Sequence, residues 1–150
     1  MATLTRLKLA VKTGFGAFAG TDARIYLILC ARSAARTYLL PTHARDMETG
    51  KTDIYELSVP DGPDLDELEH AVLVNGMNGR NPEWRLLWIK LDAVDALGRS
   101  WKLVDDMSER WLDTRDARAP AYVLPLKRPF AALGKLDVVG PATTPLVLIP

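Results

Sequence analysis

Alternation of apolar and polar residues with period two runs through most of this chain. Leu7, Leu9 and Val11 are apolar, and Lys8 and Lys12 lie opposite them. That is the mark of a strand with one face in a core. Gly14, Gly16 and Gly20 then signal a loop. From Ala23 to Ala31 both faces are apolar, with Ile25, Leu27 and Leu29 on one side and Tyr26, Ile28 and Cys30 on the other, as in a strand at the centre of a sheet. Thr37 to Leu40 reads as a short strand ended by Pro41. Gly50 marks a turn into a strand that carries Tyr55, Leu57 and Val59 on one face and closes at Pro60.

The stretch from Pro60 to His70 is a polar connection with room for one helical turn at Leu65 to Leu68. An apolar strand follows at Glu69 to Asn75, then a turn rich in glycine and asparagine. Trp84 to Leu91 forms the strongest strand pattern, and the turn Asp95 to Gly98 leads into another at Ser100 to Val104. A helical turn is expected in the segment before Trp111, and Tyr122 to Leu126 is the last expected strand. About eight short strands, turn signals every ~8–15 residues and no long amphipathic helix predict an all-β, antiparallel β-sandwich. Residues 1–127 form the expected sandwich domain. Residues 128–150 read as an apolar tail with four prolines, either an added edge strand on its own or a neighbouring chain, or an unstructured terminus.

Composition narrows the function classes. The 150 residues fit one domain. Nineteen basic and nineteen acidic residues cancel, so the net positive footprint of a nucleic-acid binder is missing. The single cysteine, Cys30, has no partner in its own chain for a disulfide and sits where a small hydrophobe belongs. The first residues alternate Arg6, Lys8 and Lys12 with apolar neighbours, unlike a signal peptide. No run approaches the ~20 apolar residues of a membrane-spanning helix. A cytoplasmic location is the expectation.

Catalytic chemistry needs a constellation, and the sequence offers none. His43 and His70 lack a ligand spacing, and the usual hydrolase, zinc-protease and phosphate-loop motifs are missing. The glycines of the first loop connect strands and do not open a helix, so they build no phosphate site. Asp61, Asp64, Asp66, Glu67 and Glu69 lack the offsets of a calcium loop and read as a solvated connection. Among the four tryptophans, at 84, 88, 101 and 111, Trp88 stands apart. If Ile89 and Leu91 point inward, Trp88 and Lys90 point outward. An outward indole asks for a cover: the tail, another subunit, a partner protein or a lipid surface.

The order of segments resembles the PLAT family (polycystin, lipoxygenase and alpha-toxin domains) over about residues 5–127. The pieces that carry the resemblance are "AGTDA" before a strand, "GKTDIY" before the next long one, and "NPEWRL" opening the Trp84 strand. The resemblance implies a sandwich of two four-stranded antiparallel sheets. It also implies a non-catalytic module that brings an enzyme, attached or separate, to membranes, lipids or proteins. It places Gly20, Thr21, Asp22 and Asp46 where calcium ligands lie in many members. The sequence departs from those members at Phe18, where they carry a carboxylate, and in the turn before Trp84, which offers the amides of Asn75, Asn78 and Asn81. Asp22 therefore has two readings, a calcium ligand or a turn former. Leu87 and Trp88 replace the polar residues usual after "W-x-L". With Phe15 and Phe18 they mark an expected contact surface for a protein partner or a lipid interface. Self-association through the tail or the Trp88 face is a further expectation. The alternative function is a targeting or regulatory subunit of a separately encoded lipid-acting enzyme.

Overall fold

The computed structural model describes residues 2–15, 19–42, 46–80, 82–114, 119–133 and 144–149. The strands in chain order are β1 (Leu4–Thr13), β2 (Ile25–Ala31), β3 (Ala35–Leu39), β4 (Thr52–Ser58), β5 (Leu68–Asn75), β6 (Trp84–Asp95) and β7 (Ser100–Asp106). Five short ones follow: β8 (Arg110–Leu112), β9 (Ala121–Val123), β10 (Ala131–Leu133), β11 (Thr144–Pro145) and β12 (Val147–Ile149). They form two stacked sheets, ordered β10-β7-β6-β1-β4-β11 with β8 also on β6, and β12-β3-β2-β5-β9. Each sheet contains an antiparallel four-stranded centre, β7-β6-β1-β4 and β3-β2-β5-β9. Among the described residues the sheets hold seven and five strands, not four each, because β10, β11 and β12 extend edges and β8 pairs with the start of β6. Among the described residues no helix is long and apolar enough to cross a membrane.

Alternation explains the layering. β1 buries Leu4, Leu7, Leu9 and Val11 and turns its lysines away. β2 and β5 answer from the other sheet with Ile25, Leu27, Leu29, Ala71 and Leu73. Each fully buried leucine contributes about 1.5–3 kcal/mol relative to exposure. Trp84 and Leu86 open β6 in the same core, and the Trp84 Nε1–H donates to Thr13 Oγ1 at 2.9 Å with both side chains buried.

Two segments depart from expectation or extend it. The residues before Trp111 form no helical turn. Ser108 N–H donates to Asp106 Oδ1 at 3.0 Å, a local turn that competes with a helix, and the chain then enters β8. At the C-terminal end, Thr144 and Pro145 pair in parallel with Leu57 and Ser58 of β4. Two residues later β12 pairs antiparallel with β3. Leu146, 2 % exposed, lies between the two sheets and donates its N–H to Ser58 O at 2.9 Å.

Candidate functional site

One end of the sandwich gathers the loops after β1, β3, β5 and β7. Gly20 sits there against the 46–51 loop. A Cβ on Gly20 would come within 2.7 Å of the Met47 carbonyl oxygen, so only glycine permits the approach. Thr21 N–H donates to Met47 O at 3.1 Å. Its hydroxyl donates to Pro82 O at 2.8 Å and accepts from Ala23 N–H at 3.1 Å. Thr21 thus ties three loops together. Asp22 Oδ2 accepts from Arg80 N–H at 3.1 Å, and Asn78 Oδ1 accepts from Arg24 N–H at 2.7 Å.

Asp46 is held from the other side. Its Oδ2 accepts from the Tyr55 hydroxyl at 2.7 Å, and its Oδ1 lies 3.5 Å from Lys51 Nζ. Burial first, then the bond to Asp46, pushes the Tyr55 hydroxyl pKa far above its ordinary 10.0. Lys51 also pairs with Asp53 at 3.1 Å, which raises its pKa. Thr21, Asp22 and Asp46 border one recess of about 230 Å³.

Calcium takes six to eight oxygens, several of them charged. Here Asp22 and Asp46 each serve a loop bond, and Lys51 already neutralises part of the charge. No group of three histidine, cysteine or acidic side chains converges on a metal-sized site among the described residues. Among the described residues Asp22 and Asp46 act as loop fasteners, and two carboxylates are fewer than a calcium cage usually gathers. Of the other residues named from sequence, Phe18, His43 and Asn81 lie outside the described residues.

Of the expected contact residues, Phe15, Leu87 and Trp88 lie at this same end, on the outer face of the seven-stranded sheet. Phe15 is 62 % exposed. Its carbonyl accepts from Arg85 Nη1–H at 2.9 Å, and Lys12 Nζ stands 5.2 Å from its ring centre. The φ of +72° at Gly50 and its missing Cβ make room for that ring. A register shift in β6 sets Thr13 opposite Leu86 but Lys12 opposite Trp88. This bulge brings Leu87 and Trp88 out side by side, both half-buried between buried Leu86 and Ile89. Lys90 Nζ lies 5.4 Å from the Trp88 ring centre. Ile54, 59 % exposed, and Lys90 flank Ala10 on the same face. The result is a patch of aromatic and aliphatic side chains interleaved with lysines. Sequence reasoning turned Lys12, Trp88 and Lys90 outward but did not join Lys12, Lys90 and Ile54 to Phe15, Leu87 and Trp88 in one patch. The cross-strand register joins them.

The outer face of the five-stranded sheet is of another kind. One row across it reads Val123, Val72, Ile28, Thr37, Ile149. The adjacent row reads Ala121, Val74, Tyr26, Leu39, Val147. Neither row contains a charge. The apolar second face of Ile25 to Ala31 was the available signal for this surface.

Several solved structures share the architecture. Alpha-toxin from Clostridium absonum superposes with a TM-score of 0.65 at 14 % identity, over 83 % of this chain and 32 % of the toxin. Alpha-toxin from Clostridium perfringens gives 0.59 at 15 %, over 82 % of this chain and 32 % of the toxin. Coral 8R-lipoxygenase, described as activated by calcium through a C2-like domain, gives 0.54 at 20 %, over 79 % and 16 %. The chain therefore spans about a third or less of these relatives. The comparison with curated proteins finds no match. The PLAT/LH2 domain profile matches residues 7–124. With most of its length matched and its two sheets stacked as that fold requires, the chain belongs to the PLAT/LH2 domain family.

Proposed function

We propose that this chain is a non-catalytic interaction module that docks on a lipid interface carrying anionic headgroups. PLAT domains generally associate with membranes or lipids, and the patch around Phe15 and Trp88 supports this reading most directly. Aromatic rings suit the boundary between acyl chains and headgroups. The ammonium groups of Lys12 and Lys90 stand beside those rings, where each adds attraction to a negative surface of about 1 kcal/mol. The reading includes peripheral binding from the cytoplasmic side and needs no metal.

Co-sedimentation with vesicles tests it. We expect binding to phosphatidylcholine vesicles containing phosphatidylserine, weaker binding to phosphatidylcholine alone, and the same result with calcium or with a chelator. Phe15→Ser together with Trp88→Thr should lower retention at least fivefold. Equal recovery of parent and variant in the supernatant with every vesicle would overturn the proposal. A strict calcium requirement would restore Asp22 and Asp46 as ligands.

A second reading rests on the relatives, in which the matched region is only a part of a longer chain. In that reading the domain targets or regulates a separately encoded lipid-acting enzyme. Its signature is an enzyme whose vesicle-bound activity rises when this chain is added.

A further inference from the structure

The lipid reading uses one outer face of the sandwich. The opposite outer face, on the five-stranded sheet, carries two full rows of described residues without a charge. We propose that a second copy of this chain packs there, sheet against sheet, in a two-fold dimer.

A sheet face in water normally alternates toward polar residues, and the seven-stranded sheet of this molecule does so. Lys8 lies between Glu56 and Asp92, and Lys90 lies opposite Asp105. The five-stranded sheet breaks that rule in two consecutive rows, where threonine is the most polar residue. Val123 is 57 % exposed, Val147 53 % and Ile149 39 %. The inner-strand residues of the same rows are half-buried. A third row, His70, Cys30 and Ala35, continues the face to its rim, where exposed Glu69, skipped by the β2–β5 register, lies 4.0 Å from Arg32.

The chemistry selects the occupant. Without lysine or arginine in the rows, the face has no hold on lipid headgroups, and without any full charge it has none on a basic or acidic partner. A flat aliphatic surface is complementary to itself, as a two-fold interface demands. Two rows of five positions and one of three, with strands ~4.8 Å apart and rows ~7 Å apart, cover about 440 Å² on each copy. Pairing two copies therefore removes about 900 Å², the size of a weak, concentration-dependent interface. Two such sheets would stack ~10 Å apart, like the layers of a sandwich.

Sedimentation equilibrium of the full chain without lipid, from micromolar to millimolar, tests the proposal. The parent should shift from monomer to dimer mass, while Val72→Lys and Val123→Lys should raise the dissociation constant at least tenfold. Val123 is exposed at an edge, so its variant keeps the test valid should Val72→Lys fail to fold. Alkylation of Cys30, which lies on this face, should slow as the parent dimerises and should not slow in Val123→Lys. A monomer at every concentration would overturn the proposal, as would a dimer that keeps Cys30 reactive or survives both substitutions. Loss of vesicle binding by Val123→Lys would assign the face to lipid and equally overturn it. Vesicle binding lost only through Phe15 and Trp88 leaves it standing, so the two readings fail separately.

Discussion

Trp84 and Thr13 show how a single polar atom is accommodated in an aliphatic core. The indole N–H has its acceptor 71 positions earlier in the chain, so burial of the tryptophan is legible from its strand pattern but its partner is not. Thr13→Val keeps the shape and removes the acceptor. An orphaned buried donor costs about 1–3 kcal/mol, and a lowered denaturant midpoint with unchanged slope should report that loss. Asp95 is a second such centre. It accepts from the N–H groups of Leu97 and Arg99 at 2.9 and 3.0 Å, from Arg99 Nε at 2.8 Å and from Trp101 Nε1 at 3.1 Å. Burial alone would push its carboxyl up, but these bonds outweigh it and hold the pKa below 3.8. The unfolded chain therefore binds the proton first as pH falls. The stabilisation is complete above the unfolded value and is lost as pH drops through the folded one. Asp95→Asn should be less stable than the parent at pH 7, and the gap should narrow below about pH 4 in paired denaturation curves.

β2 illustrates where strand patterning stops being informative. Two apolar faces predict a central strand, and β2 is central in its sheet. The pattern cannot tell whether the second face is covered, because that depends on which layer lies beyond it. Likewise strand alternation turns Trp88 outward but would turn Leu87 inward, and the offset between Thr13/Leu86 and Lys12/Trp88 explains how Leu87 can join it. The two readings of Asp22 have a related source: the motif marks where loops converge, and hydrogen bonds decide what their carboxylates do. Gly20→Ala should separate the first loop from Met47 and destabilise the fold by over 1 kcal/mol, readable in thermal unfolding. Leu146 joins β11 to β12 and fills the space between the layers. Leu146→Ala should cost about 2–4 kcal/mol. Loss of amide protection in β12 ahead of the other strands would locate the damage.

The fold as a whole places two unlike skins on opposite sides of one core. That division follows from topology: the lysine-bearing strands β1 and β6 lie in one sheet, and the valine- and isoleucine-rich β2 and β5 lie in the other. Such surfaces respond oppositely to dissolved ions. Sodium chloride shortens the reach of the ammonium groups, with a Debye length falling from ~10 Å at 0.1 M to ~3 Å at 1 M. Ammonium sulfate, excluded from apolar surface, strengthens contacts made without charge. Increasing ionic strength should therefore release the protein from anionic vesicles, and sulfate should drive it toward heavier species. The choice of electrolyte would then determine which partner the molecule keeps.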